Sequence, residues 1–184
     1  MRVLLVIDML EDFFSDGPLL RERSGLVAAI NRLVSGARSQ GIPVIWVRQE
    51  FADDLSDAFP VMRKRGIRKT MAGTPGARIL HELDRRPTDG EIVKKRYSAF
   101  FGTHLSETLR EMDVTHLILA GVNTHACVRM TAIDAYQRDL EVVIPVECVA
   151  SHDAEHHAVT LNYLGDEIVE LTGLENLLTT LQDQ

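Results

Sequence analysis

The sequence predicts an α/β fold, a three-layer α/β/α domain built around a six-stranded parallel sheet. Two observations predict it. Short apolar runs alternate with segments whose apolar residues recur at helical spacing, the arrangement of strand and crossover helix. The runs are also apolar on both faces, as strands covered by helices on each side must be. At 184 residues the chain has the length of one domain with a sizeable core, and a single domain is expected over residues 1–184.

The strands fall at residues 3–8, 43–48, 91–95, 115–121, 141–146 and 166–170. Helices are read at 24–40, 76–84, 103–112, 124–139, 153–164 and 173–182. The first strand, Val3-Leu4-Leu5-Val6-Ile7, ends in Asp8. Ser24 stands before the first helix and Thr103 before the third, as N-cap residues. Gly41-Ile42-Pro43 stops the first helix and launches the second strand. The third strand, Glu91-Ile92-Val93-Lys94-Lys95, runs into Arg96-Tyr97-Ser98-Ala99-Phe100. Residues 49–75 are long and irregular, acidic at Asp53-Asp54-Leu55-Ser56-Asp57 and basic from Arg63 to Lys69. Such a stretch is either a solvated charged loop or a lid or subunit contact that brings a cation to a substrate.

Composition excludes several classes. Hydrophobic residues make up 45% and charged residues 26%, ordinary values for a globular protein. A net charge of −7 argues against a general nucleic-acid partner, which requires a basic face. No run approaches the roughly 20 apolar residues that span a bilayer, so no membrane partner is expected. Cys127 and Cys148 form no disulfide framework and read as reduced cytoplasmic thiols. No glycine-rich phosphate-binding motif is present.

Cys127 follows the apolar run Leu117-Ile118-Leu119-Ala120 within Gly121-Val122-Asn123-Thr124-His125-Ala126-Cys127-Val128. A cysteine at a strand-to-helix junction meets unpaired N–H groups and the positive end of the helix dipole. It is therefore expected to be an accessible thiol of low pKa, whereas Cys148 is expected to be a buried strand residue. Ligand sites in open α/β sheets gather outside the carboxyl ends of the strands. Asp8, a lysine of the third strand and Cys127 lie at three such ends, a candidate base, cation and nucleophile. His125 is not the partner of Cys127, because helical positions two apart point about 200° from each other. His152, His156 and His157 lack the spacing of metal ligands.

The ordered set Leu4-Leu5-Val6-Ile7-Asp8-Met9 with Asp12-Phe13, Gly73-Thr74-Pro75-Gly76, Lys94 with Tyr97-Ser98-Ala99-Phe100, Gly121-Val122 with Thr124 and Cys127-Val128, and Ala150-Ser151 with His157 resembles the isochorismatase-like cysteine hydrolases. That group includes nicotinamidases, N-carbamoylsarcosine amidases, ureidoacrylate amidohydrolases and isochorismatases. The resemblance spans nearly the whole chain and implies a Rossmann-like sheet of order 3-2-1-4-5-6. It also implies Cys127 as nucleophile, Asp8 as general base and Lys94, rather than Lys95, as the cation. A cis peptide at Val122–Asn123 would aim the backbone N–H groups of Asn123 and Cys127 at an oxyanion. Phe13, Gln49 and Tyr97 are the expected substrate contacts.

Nicotinamidases hold a metal through an Asp-x-His and a further His after the second strand. Here Arg48-Gln49-Glu50-Phe51-Ala52-Asp53 contains no histidine, so no metal and no cofactor are expected. Leu10-Glu11 stands where the family commonly has Gln-Asn, and Glu147-Cys148 where it has an Asp. The expected function is hydrolysis of a C–N bond in a small amide, carbamoyl or ureido substrate through a cysteine thioester. Vinyl-ether hydrolysis of the isochorismatase type and a non-catalytic scaffold are the rivals. A homo-oligomer, dimer or tetramer, is expected.

Overall fold

Alternate residues of the first strand face opposite cores, and that alternation sets the layers. In the computed structural model, which describes residues 1–182, β1 (Arg2–Ile7) turns Val3, Leu5 and Ile7 into one apolar cluster and Leu4 and Val6 into another. The last two residues of the expected 1–184 domain lie outside the described residues. Helix α1 (Gly17–Ser39) and, at the chain's end, α6 (Leu174–Gln182) cover the second cluster. Helices α3 (Leu105–Glu111), α4 (Arg129–Tyr136) and α5 (Ala154–Glu167) cover the first.

The remaining strands are β2 (Val44–Gln49), β3 (Gly90–Lys94), β4 (His116–Val122), β5 (Glu141–Pro145), β6 (Val149–Ala150) and β7 (Glu170–Thr172). All pair in parallel, in the order β3-β2-β1-β4-β5-β7, and the two-residue β6 adds to the end of β4. The expected order is therefore found, with one short extra strand. The chain reverses its direction of travel across the sheet between β1 and β4, which makes their carboxyl ends a topological switch point. Register aligns Ile7 with Gly121 and Gln49 with Lys94. Among the described residues no helix is long and apolar enough to cross a membrane.

Several expected boundaries move, each for a local reason. Helix α1 begins at Gly17, ahead of the expected Ser24, because Pro18 supplies a ready-made first turn. Thr103 is not the N-cap of α3, which is His104; it lies one residue earlier, although its Oγ1 still accepts from the N–H of Leu105 at 3.2 Å. Gly41, at φ +68, reverses the chain after α1 while Ile42 N–H donates to Ala37 O at 2.9 Å.

The helix expected at 76–84 is absent; only Pro75–Ala77 forms a 3-10 turn. Its backbone is used elsewhere, since Ile79 bridges Leu10 and Leu80 N–H donates to Met9 O at 2.9 Å. The strand expected at 166–170 begins as the end of α5, where Ile168 and Val169 N–H still bond to Leu164 O, and the strand itself is Glu170–Thr172. Cys148 lies in a 3-10 turn, Val146–Cys148, rather than in a strand, although it is fully buried as expected.

Residues 49–75 are more than a solvated loop. They contain α2 (Pro60–Arg65) and a small core of their own, with Phe51, Ala58, Met62 and Met71 buried together.

Candidate active site

Three strand ends meet at one buried ammonium. Lys94 ends β3, and its Nζ lies 2.6 Å from Asp8 Oδ2, 3.4 Å from Cys127 Sγ and 3.1 Å from the carbonyl oxygen of Arg96. Lys94 and Asp8 have no exposed surface, and Cys127 has 3%. The contacts to Arg96 O and Cys127 Sγ are hydrogen bonds, whereas that to Asp8 is an ion pair, and Asp8 Oδ2 receives no hydrogen bond. Lys95 points away and pairs with Asp57 at 2.9 Å on the surface, as strand alternation requires.

Asp8 sits just past β1 at φ +54, a left-handed conformation uncommon for a residue other than glycine. Its N–H donates to Val47 O, and its Oδ1 accepts from the N–H of Gln49, both at 2.8 Å. The carboxylate is thereby fixed against the neighbouring strand. Gly121 lets β1 and β4 close at the point from which Asp8 and Cys127 emerge. At φ +112, a Cβ there would stand 2.0 Å from Ile7 O, so no side chain fits.

The electrostatics correct one expectation. Cys127 is neither accessible nor of low pKa in the resting site. Burial, with the Asp8 charge beside it, pushes the thiol up to about 12, and Lys94 offsets only part of this. Cys148 is also pushed to about 12, by burial and the nearby Glu147. Burial would lower Lys94, but Asp8 and Cys127 outweigh it and hold the ammonium above its ordinary range. One buried ammonium thus balances one anionic charge at this site. While Asp8 carries that charge, the thiol keeps its proton.

Cys127 lies in a π-helical turn, Thr124–Val128, ahead of α4, a geometry frequent at functional sites. The peptide Val122–Asn123 is cis. Asn123 O accepts from the N–H groups of Ala126 at 3.0 Å and Val128 at 3.2 Å. Thr131 braces the other side, its Oγ1 donating to Cys127 O at 2.7 Å and accepting from Ala99 N–H at 3.0 Å. The segment that follows Lys94 is thereby tied to the turn that carries Cys127. Nothing in the sequence singled out Thr131, since a threonine inside a helix reads as neutral filling.

Thr124 donates to Ala150 O at 3.0 Å and is met by His157 Nδ1 at 2.9 Å. His125 turns from the sulfur to Ser151 Oγ, 2.6 Å away.

The expected substrate contacts divide. Gln49 is buried in register with Lys94, and its Oε1 has no partner. Tyr97 is half exposed and stacks on Phe59, ring centroids 4.7 Å apart. Phe13 packs, partly buried, against the core beneath α1.

Thr70 escaped the sequence reading, and Asp12 entered it only within the resemblance, with no role of its own. Asp12 accepts the N–H of Thr70 at 2.6 Å and fills the space beside Gly76, where a Cβ would lie 2.2 Å from its carboxylate. Thr70 is fully buried at φ +55 with an unpartnered hydroxyl. The contact joins residues 58 apart in sequence, beyond any local signal.

The residues after β2 do not fit a metal. Glu50 is held by Arg48 at 2.5 Å, Asp53 is paired with Arg68, and Phe51 is buried. His152, His156 and His157 are separately engaged with Asn123, Asp153 and Thr124. Elsewhere, Glu11, His81 and Glu82 lie close together, but Arg23 already bonds both carboxylates.

Comparison with known proteins decides the family: the isochorismatase domain model matches residues 2–176. The chain belongs to the isochorismatase family. A protein of Arabidopsis thaliana described as a "probable inactive nicotinamidase" is 35% identical over 166 residues, covering 86% of this isochorismatase-family chain and 85% of the relative. Maleamate amidohydrolase of Pseudomonas putida is 30% identical over 185 residues, covering 95% and 85%. The crystal structure of an isochorismatase family protein from Desulfovibrio vulgaris matches with a TM-score of 0.88 at 28% identity, covering 98% of each chain. The family is one of hydrolases and includes amidohydrolases.

Proposed function

We propose that this protein hydrolyses a C–N bond of a small amide, carbamoyl or ureido compound through a thioester on Cys127. One observation carries the proposal: a single buried Lys94 ammonium bridges the Asp8 carboxylate and the Cys127 sulfur.

An amide is a poor electrophile and a neutral thiol a poor nucleophile, so the thiolate has to form as it is used. Transfer of the Cys127 proton to Asp8 exchanges one anion for the other beside Lys94. The charge of the cavity does not change, and no further desolvation is required. The thiolate then attacks the carbonyl carbon. The oxyanion is received by the N–H groups of Asn123 and Cys127. Asp8 gives the proton to the departing nitrogen, the C–N bond breaks, and ammonia or an amine leaves a thioester. Asp8 next takes a proton from water as the water oxygen attacks the thioester. The acid departs, and Asp8 returns the proton to sulfur. Gln49 Oε1, an acceptor without a donor, is suited to an N–H of the substrate.

A panel of small amides, carbamoyl and ureido compounds read by ammonia release tests this. At least one member should turn over in the wild type and not in Cys127→Ala. Equal turnover in Cys127→Ala would rule out the thioester.

A further inference from the structure

Asn123 is fixed by an unusual grip. Its Oδ1 receives two contacts from one residue, the main-chain N–H of His152 at 3.0 Å and the ring Nδ1 of His152 at 2.9 Å. The main-chain donor requires that this atom be the amide oxygen, so the ring nitrogen facing it must carry a hydrogen. Oδ1 is then filled twice from one side. The carbonyl of Asn123 is also engaged, by Ala126 and Val128, and the residue is 7% exposed. With its carbonyl and side-chain oxygen held, the Cα of Asn123 is anchored at two of its substituents, which fixes where its own nitrogen stands.

The segment that supplies His152 is docked on the nucleophile turn at neighbouring points as well. Ala150 O accepts from Thr124, and Ser151 Oγ accepts from Asp153 N–H at 3.1 Å while facing His125 Nδ1. The His152 ring adds an edge contact to His125, centroids 5.0 Å apart. His156 stands on the outer side, bonded through both its N–H and its ring to Asp153.

We infer that His152 is a positioning residue for the reaction, holding Asn123 by its side chain so that the backbone N–H of Asn123 meets the oxyanion. The inference rests on the thioester proposal, in which that N–H is one of two oxyanion donors. Donors aimed before the reaction cost no reorganisation in the transition state. The ring of His152 should therefore affect kcat and leave KM in place.

The substitution His152→Ala removes the ring bond and keeps the main-chain bond, so the fold is retained. With the best-hydrolysed amide of the panel, kcat should fall about tenfold, the value of one neutral hydrogen bond, with KM within about twofold. His152→Asn, which returns a donor on a short side chain, should recover most of the loss. In Asn123→Ala the further change His152→Ala should have no added effect, because the two act as one unit. His156→Ala serves as the neighbouring control and should match the wild type. An unchanged kcat in His152→Ala, a loss that falls on KM alone, or losses at Asn123 and His152 that multiply would each overturn the inference. Cys127→Ala is assayed in parallel. If it stays active the thioester proposal fails, whereas if it is inactive and His152→Ala is fully active, only the positioning role fails.

Discussion

Lys94 binds two groups that compete for one negative charge, and each responds to removal of the other. In Asp8→Asn the carboxylate that holds the Cys127 thiol up is gone, and Lys94 faces the sulfur alone. Turnover should fall by at least ~10³-fold, because base and nucleophile act as a unit. Iodoacetamide should nevertheless label Cys127 several-fold faster at pH 8 than in the wild type, with Cys148 unchanged, as read by peptide mass. Equal labelling would show that Asp8 does not govern the thiol. Lys94→Ala should abolish turnover to a similar extent, and Lys95→Ala should stay within about threefold of the wild type.

Asp8 was legible because it ends an apolar run and Cys127 because it stands where a helix follows one, both local signals, whereas the choice of Lys94 over Lys95 came from the family resemblance. The charge state of Cys127 was not legible, because it depends on burial and on a carboxylate 119 residues away in sequence (127 − 8).

At the scale of elements, the junction between β1 and β4 is the most demanding. Gly121→Ala places a Cβ against Ile7 O and should destabilise the protein by more than ~3 kcal/mol or prevent folding, measured by urea denaturation. The turn that carries Cys127 also has a pH signature. Burial depresses the pKa of His157, which meets Thr124, below its ordinary value near 6.5. The folded state favours the neutral ring and the unfolded chain takes up the proton more readily. The stabilisation is therefore complete above about pH 6.5 and is lost as pH falls toward and through the lowered folded value. Melting temperature should drop between pH 7.5 and pH 5, and His157→Gln should narrow that difference.

Strand patterning read well along β1, β2 and β4, where both faces are buried. The helix expected at 76–84 and the strand expected at 166–170 were misread. In the first, Met9 and Leu10 take the backbone partners; in the second, a helix end outlasts its pattern.

Across the whole molecule, the end of the sheet opposite the site is held by Asp89. One oxygen, Oδ2, accepts from Trp46 Nε1 at 2.8 Å, Arg38 Nη2 at 2.7 Å and Arg86 N–H at 2.8 Å. Burial would raise the carboxyl, but these three donors outweigh it and hold the pKa below the usual range. Asp89→Ala should cost about 2–4 kcal/mol in urea denaturation while turnover of the folded fraction is kept, since Asp89 precedes β3 and Lys94 lies at its far end.

The layered architecture was legible from alternation alone, and the strand order came from resemblance. The small core around Phe51 and Met71 was not legible, because its members are scattered among charged residues and meet only in three dimensions.

The proposed covalent intermediate joins the three scales, since it would need the charge exchange, the turn and the closed sheet together. Its direct measurement is acid quenching of the wild type during turnover of the best amide, followed by mass analysis of the peptide that contains Cys127. The mechanism predicts that this peptide gains the mass of the substrate's acyl group, that Cys148 gains nothing, and that Asp8→Asn accumulates no adduct. Steady turnover with an unmodified Cys127 at every quench time, together with full activity in Cys127→Ala, would contradict it.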